Sequence, residues 1–206
     1  MKKVLMIAQY FPPAGGVGTF RVTKFVKYLR DFGWEPVVLT VSKTCYPKSV
    51  WLDYDLEKDI PDGVHIYRTN IGWSHFINDD GIRWLSFLLA SAFKVIKKEQ
   101  PNLIYITGGP FFPLIAGPII KFFFKLPYVV DLRDPWRTAR ISQSSHGVKF
   151  RIARILTRIM EPIVFRYAAK IICVTKIMLE EYLTIYPQYK NNFIKLYLNS
   201  FILNLK

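Results

Sequence analysis

The stretch YFPPAGGVGTFR, from Tyr10 to Arg21, places three glycines within four positions directly after a short apolar run. Because glycine has no side chain, backbone N–H groups can approach an anion there, and a helix that begins at such a loop adds its positive end. Thr19 and Arg21 are available for further contacts. This chemistry suits phosphate binding. A tight turn that needs positive φ is the alternative for any single glycine.

The sequence excludes two common nucleotide-binding motifs. Gly16-Val17-Gly18 begins the G-x-G-x-x-G pattern of dinucleotide sites, but Arg21 stands where the third glycine should be. The second apolar run ends in Thr-Val-Ser and offers no acid to hold a ribose. The chain also lacks the G-x-x-x-x-G-K-[ST] pattern of a P-loop.

A second group of chemically active residues lies in the stretch DLRDPW, residues 131–136. Two acids and one cation can fix sugar hydroxyls and their orientation. Arg133 and Asp134 come where a predicted strand gives way to a loop, and Pro135 ends regular pairing, so both can reach into a crevice. For Asp131, an internal salt bridge that shapes the loop is an equally good interpretation.

Elements that alternate between strand and helix position these residues. Seven short runs, most of them continuously apolar, predict strands buried on both faces: residues 4–8, 36–41, 64–69, 102–107, 127–132, 170–175 and 193–198. Helical spacing follows the glycine loop, from Val22 to Leu29, and recurs at about 82–98 and 150–168. Residues 103–124 approach the length of a membrane span, but glycines and prolines divide them into strand, turn and helix. The pattern predicts an α/β fold with a doubly wound, mainly parallel Rossmann-like sheet of about seven strands and helices on both faces.

In such a sheet, ligands bind beyond the carboxyl ends of the strands, which selects a set of candidate residues. These candidates follow the first, fourth, fifth, sixth and last predicted strands. They are Gly15, Gly16, Thr19 and Arg21; Gly108 and Gly109; Asp131, Arg133 and Asp134; Thr175 and Lys176; and Asn199.

The composition of the chain limits the classes of partner that it is expected to bind. The 206 residues are 51% hydrophobic and carry a formal charge of +14, so the surface should attract phosphates, nucleic acid or anionic lipid. No sequence pattern of a nucleic-acid-binding motif is present, which argues against nucleic acid. Cys45 and Cys173 are too few and too distant for a disulfide framework or a zinc site, and they fit a reducing cytoplasm. The three histidines lack partners at metal-ligand spacing, so we expect no metal and no cofactor.

A basic amphipathic helix is predicted between residues 149 and 166. Its apolar positions form one stripe, and three arginines lie on the other face: Ile152, Ile155, Leu156, Ile159 and Ile163 against Arg151, Arg154 and Arg158. The ordinary interpretation is a packed stripe beneath a solvated basic face. The functional alternative is a patch that contacts the surface of an anionic membrane.

Five stretches, in this order and spacing, resemble the N-terminal half of group 1 glycosyltransferases, the retaining family with the two-domain GT-B fold: YFPPAGGVGTFR, TGGPFF, LPYVVDLRDPW, IICVTKIMLEEY and LYLNSF. The resemblance covers nearly the whole chain. It implies transfer of a sugar from a nucleotide-sugar to a glycan or lipid-linked acceptor, in bacterial surface polysaccharide synthesis, at a cleft between two domains. It also implies a cytoplasmic location, with peripheral contact at the inner face of the membrane.

The resemblance assigns roles to several candidate residues. Gly15 and Gly16 match the glycines that approach the donor phosphates and the reacting sugar. Arg133 and Asp134 fall in the catalytic region, where many relatives have a histidine that this chain lacks, and Asn199 matches a turn that leads to the second domain. Residues 1–206 are therefore expected to form a single acceptor-side domain without the donor-binding domain, inactive on its own. A stand-alone binding module for a phosphorylated or lipid-linked glycan is the alternative.

Overall fold

A computed structural model of the chain describes residues 1–72, 79–139 and 148–195. One seven-stranded sheet runs through these residues, and every neighbouring pair of strands is parallel. The strands are β1 Lys2–Ile7, β2 Trp34–Val41, β3 His65–Thr69, β4 Leu103–Thr107, β5 Tyr128–Leu132, β6 Lys170–Cys173 and β7 Phe193–Lys195. Each lies within or overlaps one of the seven predicted runs, so the predicted fold class is confirmed.

The strand order is β3-β2-β1-β4-β5-β6-β7. β1 therefore lies inside the sheet, with Leu5 opposite Val37 on one side and Ile104 on the other. The helices are α1 Val17–Tyr28, α2 Asp80–Glu99, α3 Ala116–Phe124, α4 Trp136–Ala139, α5 Val148–Tyr167 and α6 Lys176–Ile185.

Two hydrophobic cores cover the two faces of the sheet. The smaller contains Val22 and Val26 of α1, packed against Val4 and Met6 of β1. The larger is formed by the other face of the sheet together with α2, α3, α5 and α6. Helices on both faces are the arrangement that continuous apolar strands require, because both sides of each strand must be removed from water.

Local sequence explains where the long helices begin and end. Asp79 directly precedes α2, and its carboxylate accepts a hydrogen bond from the Ile82 amide at 3.1 Å; Gln100, in the left-handed conformation, directly follows the helix. Thr175 directly precedes α6, and its hydroxyl accepts from the Met178 amide at 3.1 Å. These are N-caps made by the residue types that favour them. The Thr175 signal is visible in the sequence, although α6 was not among the predicted helices.

At the amino ends of the strands, the carboxylate of Glu99 is buried among three partners. Lys3 Nζ and Tyr67 Oη donate to it at 2.9 and 2.6 Å, and His65 Nδ1 lies 2.8 Å away. Burial alone would raise the pKa of Glu99. The hydrogen bonds from Tyr67, Lys3 and His65 outweigh burial and lower this pKa to about 2.

The predicted packing of the basic helix is wrong for three of its five apolar positions; Leu156 is half-buried, and the side chain of Ile152 lies outside the described residues. Ile155, Ile159 and Ile163 of α5 are exposed to solvent, whereas the fully buried residues of this helix include Glu161 and Phe165. Glu161 can lie inside because it accepts hydrogen bonds from Arg137 Nε, Tyr182 Oη and Tyr186 Oη. The helix is therefore rotated relative to its most apolar stripe.

Candidate functional site

The candidate residues that follow β1, β4 and β5 gather at the carboxyl edge of the sheet, around the boundary between β1 and β4. Here the strand order reverses, because α1 follows β1 onto one face while the helices after β3 and β4 cover the other. Reversal of this kind opens a crevice in which α/β proteins bind ligands. The glycine loop after β1, the loop Thr107–Phe112 after β4 and the loop that begins at Arg133 after β5 meet at this point.

Arg133 connects the three loops. Its Nε donates to the carbonyl oxygen of Gly108 at 2.9 Å, and its Nη2 donates to that of Gly109 at 2.6 Å. Its Nη1 lies against Gly18, where a β-carbon would overlap that nitrogen and lie 2.9 Å from Nη2. A single guanidinium group thus fills the space between the start of α1 and the loop after β4.

This contact explains two of the glycines. Gly109 has φ 104°, and a β-carbon there would lie 3.2 Å from Arg133 Cζ. Gly18 has ordinary helical backbone, so it is required by the closeness of the guanidinium and not by its own conformation. Sequence reasoning did not select Gly18 as a site residue. The G-x-G spacing was visible, but the side chain that fills the gap was not.

The glycine loop itself is held by a neighbouring segment. The amide of Gly15 donates to the carbonyl oxygen of Trp51 at 2.7 Å, and a β-carbon at Gly15 would lie 2.5 Å from Trp51 Cε3. Gly16 has φ 106°, which side chains rarely adopt, yet no atom lies within 4 Å of its β-carbon position. Gly15 therefore packs against protein, while Gly16 faces open space.

The start of α1 presents unpaired backbone donors to that space. Among the described residues, no acceptor contacts the amides of Gly16, Val17 and Gly18, as is normal for the first turn of a helix. No acid lies in this turn. The helix end and the Arg133 guanidinium therefore combine two sources of positive potential at one edge of the sheet.

Arg21 and Asp131 are paired with each other. Arg21 Nε and Nη2 donate to the two carboxylate oxygens of Asp131 at 2.7 and 2.9 Å, and Tyr105 Oη donates to the same carboxylate. The Asp131 side chain is fully buried and that of Arg21 is 13% exposed. The salt bridge that the sequence allowed for Asp131 is thus present, and it packs α1 against β5. A role for either residue in binding remains a prediction.

The other predicted residues differ in how much of each side chain faces solvent. Thr19 is buried, and its hydroxyl lies 3.5 Å from the Gly15 carbonyl oxygen. Thr175 caps α6, and Lys176 forms an exposed ion pair with Glu180 at 3.4 Å. Asp134 is exposed beside Arg133. Asn199 lies outside the described residues.

Three buried polar atoms at the same edge lack hydrogen-bond partners within the described ranges. They are Gln9 Oε1, just after β1, Thr107 Oγ1, at the end of β4, and Trp136 Nε1, in the segment after β5. Tyr10 follows Gln9 and packs against Tyr46, with ring centroids 5.9 Å apart. Burial, and then the negative charge of Asp80, raise the pKa of Tyr10. Sequence reasoning selected none of these side chains, although unsatisfied buried groups commonly mark a ligand or water site.

A stacked pair of rings also fixes the loop after β5. Trp136 is fully buried and stacks on Phe111, with centroids 5.6 Å apart and planes 9° from parallel. The Trp136 amide donates to Tyr182 Oη at 2.7 Å. Since Phe111 belongs to the loop after β4, the two loops are joined twice, through Arg133 and through Trp136.

The part of the chain that the structure describes holds no group of three or more histidine, cysteine or acidic side chains arranged for a metal ion. No helix in that part is long and apolar enough to span a bilayer.

A model of the glycosyl transferase 4-like domain matches residues 15–191. The chain belongs to this family. The predicted family is therefore confirmed, and the matched residues include Gly15, Gly16 and Gly18, the loop after β4, Arg133 and α5. A sequence comparison with curated proteins found no match.

Solved structures share the fold of this glycosyl transferase 4-like domain. They include a sucrose-phosphate synthase from Thermosynechococcus elongatus, with TM-score 0.66 and 14% identity over 95% of this chain and 47% of that one. A UDP-GlcNAc 2-epimerase from Methanocaldococcus jannaschii, in complex with UDP-GlcNAc and UDP, has TM-score 0.59 and 14% identity over 95% and 46%. The catalytic domain of starch synthase IV from Arabidopsis thaliana, bound to ADP and acarbose, has TM-score 0.58 and 9% identity over 95% and 51%. The chain spans about half the length of each.

The geometry of the glycosyl transferase 4-like domain suits an anionic or hydroxyl-rich ligand. Backbone amides and a guanidinium favour negative charge, and the exposed carboxylate of Asp134 can accept hydrogen bonds from hydroxyl groups. The loops that carry these groups are joined to one another, so their donors are held in place before a ligand arrives.

Proposed function

We propose that this domain is the acceptor-side half of a retaining GT-B glycosyltransferase. The enzyme transfers a sugar from a nucleotide-sugar to a glycan or lipid-linked acceptor, in bacterial surface polysaccharide synthesis. One observation carries the proposal: in a chain of the glycosyl transferase 4-like family, the glycine loop, the start of α1 and Arg133 converge where the strand order reverses.

In this proposal, the loop from Ala14 to Thr19 approaches the phosphate and the reacting sugar of the donor. The open space at Gly16 and the amides of the first turn of α1 support this placement. Arg133 keeps the loops in register and adds positive charge where charge develops on the leaving phosphate. Asp134, exposed on the same loop, orients the acceptor hydroxyls. The nucleotide-sugar is a substrate, and the proposal requires no metal or cofactor.

Two structural neighbours support a nucleotide-sugar donor. The epimerase is in complex with UDP-GlcNAc and UDP, and the starch synthase domain is bound to ADP and acarbose. Both of those chains are about twice as long as this one, and this fold matches about half of each. That difference in length supports a second, donor-binding domain in the complete enzyme. Residues 1–206 alone should then bind nucleotide-sugars weakly and show no turnover.

We also propose a cytoplasmic location with peripheral contact at the inner face of the membrane. A lipid-linked acceptor is presented at a bilayer, and the formal charge of +14 favours an anionic surface. Arg154 and Arg158 are exposed and available for this contact, whereas Arg151 lies outside the described side chains.

The test compares the complete gene product with residues 1–206. Each is incubated with radiolabelled UDP-, ADP- and GDP-sugars and a glycolipid extract, and the anomeric configuration of any product is read by NMR. We expect transfer with retention by the complete product only, and a loss of about 100-fold or more in kcat/KM for Arg133→Ala. Glycan binding without any transfer would instead favour a stand-alone binding module, and inversion would refute the retaining mechanism.

A further inference from the structure

The outer side of α5 carries an apolar row that no described element covers. Ile155, Ile159 and Ile163 are 56%, 55% and 46% exposed. They recur every four residues, so they form one row about 12 Å long on the helix. Isoleucine is among the residues most often found buried, and a row of three exposed isoleucines is therefore unusual on a protein surface in water.

The neighbouring helix, α3, also carries exposed apolar side chains. Lys121 Nζ of α3 donates to the carbonyl oxygen of Tyr167 at 2.8 Å, which ties α3 to the end of α5. On α3, Phe122 is 70% exposed and Phe123 is 62% exposed, and their rings are in edge-to-face contact at 5.2 Å. We call the five residues Ile155, Ile159, Ile163, Phe122 and Phe123 the Ile–Phe surface.

Cations border this surface, and exposed acids are missing from the two helices that form it. Arg154 and Arg158 are exposed and each directly precedes an isoleucine of the row, while Lys125 Nζ lies 5.4 Å from the centre of the Phe122 ring. The sequences of α3 and α5 contain a single acid, Glu161, and its side chain is fully buried. Apolar side chains beside long cationic ones match the interface of an anionic bilayer, where acyl chains lie just beneath phosphate head groups.

We propose that the Ile–Phe surface docks the protein on an anionic lipid bilayer, with its apolar side chains inserted below the head groups and Arg154 and Arg158 at the phosphates. The inference rests on the proposed membrane contact and deepens it, because it assigns much of the binding to insertion of apolar side chains and not to arginines alone. Protein partners are a poorer fit, since the centres of protein interfaces are depleted of charge.

The position of α5 also places the candidate site near the bilayer. A helix that joins two parallel strands runs back from the carboxyl edge to the amino edge of the sheet, so Ile155 lies nearer the carboxyl edge than Ile163. A lipid-linked acceptor could then reach the loops around Arg133 from the membrane on which the protein is docked.

The experiment is vesicle co-sedimentation of the 206-residue chain, with phosphatidylcholine vesicles alone or containing 30% phosphatidylglycerol. We expect binding to the anionic vesicles that weakens from 0.1 to 0.5 M salt without disappearing, since charge attraction is screened and apolar insertion is not. Ile155→Ser with Ile159→Ser should lower the partition coefficient about 10-fold or more at both salt concentrations. Arg154→Gln with Arg158→Gln should lower it about 10-fold at 0.1 M salt and little at 0.5 M.

The matched control replaces two isoleucines that are exposed elsewhere, Ile177→Ser with Ile194→Ser, and should bind like the wild type. Circular dichroism checks that each variant is folded. If the control variant loses as much vesicle binding as the Ile155/Ile159 variant, the assignment of the surface is wrong. It is also wrong if the Ile155/Ile159 variant binds anionic vesicles as well as the control variant does. Absence of wild-type binding would overturn the membrane contact as well.

Light scattering without lipid distinguishes a second copy of the chain as the occupant. If the wild type is a dimer and the Ile155/Ile159 variant a monomer, the surface is a protein interface and the proposal is wrong. Failure of the glycosyltransferase proposal has a different readout, because sugar transfer by the complete gene product to a water-soluble acceptor does not require vesicles.

Discussion

Gly18→Ala is the sharpest test of the way Arg133 joins the loops. Alanine fits the helical backbone at this position and should by itself stabilise α1 by about 1 kcal/mol, because glycine is a poor helix former. The new β-carbon, however, would overlap Arg133 Nη1, so the guanidinium must move. Its hydrogen bonds to the Gly108 and Gly109 carbonyl oxygens, at 2.9 and 2.6 Å, are then lost.

The expected magnitude follows from these two opposing effects. Each charge-assisted hydrogen bond contributes about 1.5 kcal/mol, the low end of the usual range, because Arg133 is only partly buried. Loss of two such bonds minus the gain in helix propensity gives a net destabilisation of about 2 kcal/mol. For a chain of this size, this corresponds to a fall in Tm of roughly 4–8 °C.

Urea unfolding, followed by tryptophan fluorescence, measures the effect in four proteins: wild type, Gly18→Ala, Arg133→Ala and the double variant. If Gly18→Ala destabilises the protein by displacing Arg133, the same substitution should stabilise the Arg133→Ala protein by about 1 kcal/mol. The change in the free energy of unfolding caused by Gly18→Ala would then have opposite signs in the two backgrounds. The coupling energy between the two positions should be about 3 kcal/mol. Additive effects of the two substitutions would refute the contact between Gly18 and the guanidinium.

Three further substitutions test other parts of the structure. Asp131→Asn should lower the free energy of unfolding by about 3 kcal/mol in urea, because it leaves the Arg21 guanidinium buried without its ionic partner; a loss below about 1 kcal/mol would contradict this. The pKa of Glu99 is about 2 in the folded protein against an ordinary value of 4.5. The ionised carboxylate therefore stabilises the fold by roughly 3 kcal/mol above pH 4.5, and this stabilisation is lost as the pH falls towards 2. Glu99→Gln should therefore flatten the decline in stability over that range, and equally steep declines would argue against it. Gly16→Ala should cost about 1–3 kcal/mol despite the open space, because φ is 106°; an unchanged Tm would show that the loop adopts another conformation.

The fold was predictable because most of the strands are continuously apolar, which signals that both of their faces are buried. The runs that form β1, β2 and β4 are continuously apolar, and a strand covered on both faces needs no other information to be recognised. α2 was equally readable, since its apolar spacing and its basic last turn follow the ordinary rules for an amphipathic helix. These are local properties of the chain, and local reasoning is sufficient for them.

The orientation of α5 could not be predicted in the same way. Periodicity assigns isoleucines to the core and acids to solvent, but Glu161 is buried by partners from elsewhere in the chain: Arg137 of α4, Tyr182 of α6 and Tyr186, which directly follows α6. Those partners lie about 20 residues away on either side in sequence. A helix that buries a paired acid and exposes isoleucines violates the local pattern, and such violations tend to occur where a surface has a function.

The candidate site was predictable as a place but not as a set of contacts. That the loops after β1, β4 and β5 meet follows from a parallel sheet. That Arg133 occupies the gap left by Gly18, and that Arg21 pairs with Asp131, depends on side-chain packing between segments more than 100 residues apart. No sequence pattern reports which cation fills which space.

The place of β1 in the sheet also governs how the protein is made. β1 and its neighbour β2 are complete once residue 41 has been synthesised, but its other neighbour, β4, ends at Thr107. At ordinary rates of translation, of about 5–20 residues per second, the apolar edge of β1 waits roughly 3–13 s for its partner. During this interval the nascent chain carries an unpaired strand edge, the feature that drives association between chains. Ribosomes that pause before residue 107 should therefore prolong the exposure of this edge, and chaperones that bind nascent chains have their clearest target in β1.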